Sequence, residues 1–137
     1  MIVFISGKVE VLSPTKAVFN INGLGYQVNI PLSTYKAMID AEAEAQQQHA
    51  AVYGSAYPVP STYLERKHWL LTHQIIREDA NLLFGFFTQE ELDMFRHLIS
   101  VPGIGATTAL NCLSSRTVEE LASAIGNGES AVLRKIK

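Results

Sequence analysis

The sequence predicts an α+β chain in which a small β-barrel or meander precedes a helical domain. Three observations carry that expectation. Short β-branched or alternating runs, separated by turn residues, fill the first part of the chain and fit strands better than helices. Two longer apolar runs then flank a short polar stretch, the pattern of a hairpin with a polar tip. Beyond them, capping-box patterns and apolar residues at helical spacing replace the alternation.

The strand runs are Ile2 to Ser6, Lys8 to Leu12, Ala17 to Ile21 and Tyr26 to Ile30, punctuated by Gly7, Ser13-Pro14 and Asn22-Gly23-Leu24-Gly25. In the fourth, Tyr26, Val28 and Ile30 alternate with Gln27 and Asn29, so one face is buried and the other wet. Pro31 to Thr34 can open a short helix carrying Tyr35, Met38 and Ile39. From about Ala41 to Lys67 the character changes: Ala41 to Gln48 is low in complexity and can extend an exposed helix, and Val52 to Tyr63 is rich in tyrosine, proline and serine. The stretch reads as an insertion. Its tyrosines, Tyr53, Tyr57 and Tyr63, are either a base-stacking platform or the packing of a long loop onto the barrel. Trp69 to Ile76 and Leu82 to Phe87 form the apolar hairpin, with Arg77-Glu78-Asp79-Ala80-Asn81 at its tip.

Thr88-Gln89-Glu90-Glu91 fits a capping box, so a helix should start near Gln89, with Leu92, Phe95, Leu98 and Ile99 on its buried face. Pro102 and Gly103 end it. A second helical pattern resumes at Ala106, with Ala109, Leu110 and Leu113 on one side. Thr117-Val118-Glu119-Glu120 repeats the capping pattern and starts a helix with Val118, Leu121, Ala122 and Ile125 inward, ending at Gly126 and Gly128. A last helix from near Ser130 stops at Lys137 and reads as cut rather than finished.

Composition narrows the function. At 137 residues and 47% hydrophobic, the chain can build a real core. It lacks an apolar run of about 18 residues and a secretory leader pattern, so a cytoplasmic protein is expected. Cys112 is the only cysteine, which leaves no intrachain disulfide and no cysteine metal cluster. A net charge of −2 means that any nucleic-acid binding must use a local face.

Val101-Pro102-Gly103-Ile104-Gly105-Ala106-Thr107-Thr108 is the stretch with chemistry of its own. Gly103 and Gly105 permit a tight turn through positive φ, and the helix that follows turns its unpaired amides and positive dipole end outward. That is a ready anion site, although a bare Gly-x-Gly is also an ordinary helix connection. The adjacent Glu78 and Asp79 are likewise either solvated tip residues, partly neutralised by Arg77, or a projecting negative element that repels phosphate or binds a metal.

Taken in order, these pieces resemble the RuvA family, the Holliday-junction-binding subunits of the RuvAB branch-migration machine. The resemblance rests on Gly23-Leu24-Gly25-Tyr26 with Val28, on Arg77 to Phe86, and on Leu98 to Gly105 with Ala109 and Leu113. It covers nearly the whole chain outside 41–67. It implies an OB-like barrel over 1–86, with an acidic hairpin and an insertion near 41–67, followed by a helix-hairpin-helix domain over 87–137, truncated before its second hairpin. It also implies a homotetramer that holds a four-way junction open, a RuvB ATPase partner reached through a C-terminal domain absent here, and contact with the RuvC resolvase. By that resemblance Gly103, Ile104, Gly105, Ala106, Thr107 and Thr108 hold DNA backbone, Glu78 and Asp79 form the acidic pin, and Arg77 moderates the pin or touches DNA. Where the family often has a lysine, this chain has Thr107, which brings a hydroxyl and no charge.

The resemblance implies no catalytic residue, metal or cofactor in this chain. Gly-Ile-Gly has neither the lysine nor the spacing of a P-loop, and His49, His68, His73 and His97 form no zinc pattern. Two alternatives stay open: an OB-type single-stranded nucleic-acid-binding module using exposed aromatics, and a helix-hairpin-helix nuclease or glycosylase using Glu78 and Asp79 as metal ligands.

Overall fold

A computed structural model describes residues 1–53 and 67–126, without the side chains of 45–53. Five strands close into a barrel in the order β1-β2-β3-β5-β4. They are β1 (Phe4–Leu12), β2 (Lys16–Ile21), β3 (Leu24–Asn29), β4 (Lys67–Ile76) and β5 (Asn81–Phe86). Helix α1 (Leu32–Tyr53) lies between β3 and β4, and α2 (Gln89–Ser100), α3 (Ala106–Ser115) and α4 (Val118–Gly126) follow the barrel. All pairings are antiparallel except β3 with β5, which is parallel. No helix among the described residues is long and apolar enough to cross a membrane. The expectations for Tyr57, Tyr63 and the helix near Ser130, and for the side chains of His49 and Tyr53, lie outside what is described.

The first two expected strands are one. Gly7 does not turn the chain but sits where β1 passes from its pairing with β4, over Phe4 to Lys8, to its pairing with β2, over Lys8 to Leu12. A Cβ at Gly7 would stand 2.7 Å from the Asn20 carbonyl oxygen, so the glycine permits a close backbone approach at a barrel corner. The β2–β3 connection is a two-residue hairpin: Ile21 pairs with Leu24, and Asn22 and Gly23 take φ of 52° and 90°. Asn-Gly is the pair that tolerates two successive positive φ angles.

The helix after Pro31 is 22 residues long rather than short, and it takes in Ala41 to Gln48. Near its middle the Glu42 carboxylate meets His68 Nε2 at 2.7 Å, both side chains 5% exposed. The pair ties α1 to β4 where the sequence suggested only a solvated helix. Met38, also on α1, joins Ile5, Val9, Phe19, Val28, Leu70 and their neighbours in the barrel core.

Strand β5 belongs to two cores at once. Leu83 lies in the barrel core. A Cβ on Gly85 would stand 2.5 Å from Val28 Cγ1, so this position turns inward too, with no room for a side chain. Phe84 and Phe86 face the other way and pack with Leu92, Phe95, Leu98, Ile104, Ala109, Cys112, Leu113 and Leu121. Burial pushes the Cys112 thiol pKa up, in keeping with a small core residue. In α4, Ala122 is exposed, against expectation, and Ala124 packs against the core instead. Leu121 sets the buried face, and its helical neighbours three and four residues on are Ala124 and Ile125.

Both expected capping threonines are in place. Thr88 Oγ1 accepts from the Glu91 amide at 3.3 Å, and Thr117 Oγ1 from the Glu120 amide at 3.2 Å. Glu91 also accepts the Ser33 hydroxyl, which links the starts of α1 and α2. Burial raises the Glu91 pKa, opposed by the hydrogen bonds to Ser33 and Thr88.

Candidate nucleic-acid interface

The glycine hairpin is built from the end of α2. Val101 leaves helical geometry at φ −77°, ψ 127°, and its amide donates to the Leu98 carbonyl. Pro102 follows, then Gly103 at φ +87°. The Ile104 amide closes the turn on the Val101 carbonyl at 3.1 Å. Proline followed by a positive-φ glycine is the residue pattern of a type II turn, and a side chain at Gly103 would be strained.

Two details depart from the sequence reading. Gly105 does not use positive φ: it is extended, at φ −89°, ψ 178°, and serves as the N-cap of α3. Ile104 does not offer its amide outward. That group is engaged in the turn, and the side chain is 5% exposed within the helical core. Ile104 is therefore the anchor of the hairpin, fixing the glycines on either side of it.

What the hairpin presents is the first turn of α3. The helix starts with the Ala109 amide donating to the Gly105 carbonyl at 2.9 Å. The amides of Ala106, Thr107 and Thr108 precede that bond and have no intrahelical acceptor. No side chain among the described residues caps them. Gly103, Gly105 and Thr107 are exposed, and Ala106 and Thr108 are partly so. The surface combines backbone donors, hydroxyls and a positive dipole end without a charged side chain, which suits an anion approached closely. Beside it, a cleft of about 340 Å³ separates α3 from the barrel, with Thr107, Asn111, Thr15 and Asn29 among its lining residues.

The acidic tip is placed as the sequence suggested. The Arg77 amide bonds the Ala80 carbonyl at 2.7 Å, closing the loop between Ile76 and Asn81. Glu78 and Asp79 are exposed there. Neither carboxylate is in an ion pair with Arg77, and among the described residues no group of three or more His, Cys, Asp or Glu is placed to hold a metal ion. No hydrogen bond or ion pair among the described residues joins the tip to the hairpin.

One contact near this region had no signal in the sequence. Arg96 Nε on α2 donates to His73 Nδ1 on β4 at 3.3 Å, and the His73 ring packs against Phe95 with centroids 5.7 Å apart. Accepting from arginine requires a neutral imidazole. Burial, and then the Arg96 charge, hold the His73 pKa below its ordinary value. The unfolded chain therefore takes up a proton near pH 6.5 that the folded chain resists. Stability is expected to be fully present above about pH 6.5 and to fall as pH drops through the interval below it. Urea midpoints measured across that range should show the loss in the native chain and a shallower one in His73→Gln; identical slopes would remove His73 as the cause.

Comparison with known proteins adds the following. The family model for the RuvA N terminal domain matches residues 1–85, and that for a SAM-like helix-hairpin-helix tandem matches 95–137. The Holliday junction branch migration complex subunit RuvA of Janthinobacterium sp. (strain Marseille) is 39% identical over 136 residues, covering 99% of this chain and 59% of that protein. The proteins of the same name from Flavobacterium psychrophilum and Porphyromonas gingivalis are each 37% identical, over 137 and 138 residues, covering 100% of this chain and 58% and 56% of theirs. The chain thus spans under three-fifths of the length of these curated relatives.

Proposed function

Because the chain belongs to the RuvA family, we propose that it binds four-way DNA junctions by their structure rather than their sequence. It serves as the DNA-holding part of a cytoplasmic branch-migration complex in recombination and repair. The observation that carries this reading is the uncapped start of α3 at Gly105, backed by a rigid turn anchored through Ile104. Its donors are backbone amides and hydroxyls, which recognise phosphate and carry no base-specific information. Gly103, Gly105, Ala106, Thr107 and Thr108 are the proposed backbone contacts, with Ile104 positioning them.

Selectivity for a junction needs a second element, and we assign it to Glu78 and Asp79. An exposed pair of carboxylates repels phosphate. At a point where four strands cross, it keeps them apart and guides each into its own arm; Arg77 at the base of the tip tempers that repulsion or meets DNA. The working form is a homotetramer, which multiplies the few phosphate contacts of one chain. Motor chemistry belongs to RuvB, with RuvC resolvase as a further partner.

Competition among a four-way junction, duplex and single strand tests the reading, and equal affinity for all three would refute it. The tip is tested by Glu78→Gln/Asp79→Asn. Removing exposed charge is a modest change, so DNA binding is expected to tighten by a few-fold while the preference for the junction over duplex narrows. Unchanged discrimination would take the pin role away from these residues.

A further inference from the structure

We propose that the outer face of the β1–β4 strand pair binds an unpaired DNA strand, a base lying against Phe4 and Trp69 and backbone phosphates against Lys8 and Lys67. This surface belongs to the barrel and shares no residue with the hairpin or the tip, so it stands or falls apart from the junction reading.

The register builds it. On β1 the outward positions are Phe4, Ser6 and Lys8, and on β4 they include Lys67 and Trp69. Ser6 lies opposite Trp69, and Lys8 directly opposite Lys67. Phe4 reaches diagonally to Trp69, ring centroids 5.7 Å apart and planes at 34°. The two rings are 56% and 48% exposed. A single exposed apolar side chain needs no explanation, but two aromatic rings in contact with each other on an open strand face form a platform.

The lysines point to what the platform holds. Like charges directly across a strand pair destabilise the sheet. The ion pairs among the described residues are His68 with Glu42 and Arg116 with Glu120, so among those residues neither lysine has an acidic partner. The next outward carboxylate on β1, Glu10, is taken by the Asn20 side-chain amide at 3.0 Å. An anion bridging Lys8 and Lys67 relieves their repulsion. Two residues along a strand advance about 6.8 Å, so Lys67 stands roughly one nucleotide of an extended strand from Trp69, and Lys8 about twice that from Phe4. Stacking rings beside backbone cations is how proteins hold single strands without reading sequence. An apolar protein segment would use the rings but leave the lysine pair uncompensated.

Trp69 is the only tryptophan in the sequence, so its emission reports this face. Titration with a deoxythymidine oligonucleotide is expected to quench it, with affinity falling against salt at a log–log slope of about −1.4 for two phosphate contacts. Lys8→Glu/Lys67→Glu should weaken the interaction by about tenfold or more, and Phe4→Ala by about fivefold or more. All three positions are exposed, and circular dichroism checks that the variants fold. Gly105→Asp, which alters the hairpin alone, should leave the quenching intact. No quenching, or a midpoint unmoved in the double lysine variant, overturns the proposal. So does emission that changes with protein concentration alone, with sedimentation showing self-association and no response to oligonucleotide; the face would then belong to a second copy of the chain.

Discussion

Gly105→Asp is expected to leave the fold at least as stable as it is and to weaken DNA binding by at least about tenfold per chain. The two effects separate because of the backbone at this position. Its φ of −89° and ψ of 178° suit any residue, and a Cβ there meets nothing within 4 Å. Aspartate is a favoured N-cap: its carboxylate accepts from the amides of the second or third helical residue, here Thr107 and Thr108. It also complements the dipole of α3, together worth about 0.3–1 kcal/mol. The bonds that stabilise the helix are the ones proposed for phosphate. A carboxylate seated there occupies the donors and repels the incoming anion. Gly105→Ser controls for size: its hydroxyl caps the same amides without charge and should lose less affinity. Thermal melts and junction titrations on the same samples decide the matter. Native affinity in the aspartate variant would show that phosphate does not sit on this helix end. Gly103 offers no such clean test, because at φ +87° any substitution strains the turn itself.

What the sequence made legible was local. Alternation at Tyr26, Val28 and Ile30, the Asn22-Gly23 turn, the tip from Arg77 to Ala80 and the capping threonines Thr88 and Thr117 each depend on neighbours within a few residues, and the structure bears them out. What it hid depends on partners distant in the chain. Gly7 looked like punctuation because glycine usually is; its reason is the Asn20 carbonyl on the neighbouring strand. Glu42 was lost in a low-complexity stretch because nothing local marks a carboxylate for burial, and His68 is 26 residues away. The two hairpin glycines read alike, yet one serves the turn by positive φ and the other serves the helix end by having no side chain. Ile104 lies between them as the large apolar residue of a glycine turn. An exposed loop seldom keeps such a residue unless it reaches a core, and that signal could have separated the anchor from the proposed phosphate contacts.

Phe95→Ala is expected to cost about 3–5 kcal/mol of stability, the range for removing a large buried ring. Phe95 is fully buried, with its centroid 5.1 Å from that of Phe84 and 4.9 Å from that of Phe86. Those partners are on β5, whose opposite face completes the barrel through Leu83 and the bare backbone of Gly85. The ring is thus where the helices grip the barrel. A loss of this size is a large fraction of the ~5–15 kcal/mol that holds a typical domain. It also falls on one side of a shared strand: the barrel core contains neither Phe95 nor any residue of α2. In the native chain, urea unfolding followed by Trp69 emission, which reports the barrel, should coincide with far-ultraviolet circular dichroism, dominated by the helices, because β5 couples the two cores. In Phe95→Ala the part of the helical signal that comes from α2 to α4 should melt first, with α1 staying on the barrel through Met38, and the transitions should part. A loss below about 1 kcal/mol, the scale of an ordinary substitution, would mean that the helices hold the barrel elsewhere. A large loss with coincident transitions would mean that the barrel does not stand without them. If the transitions do part, junction binding should disappear with the helical transition, since the hairpin hangs from the same core through Ile104.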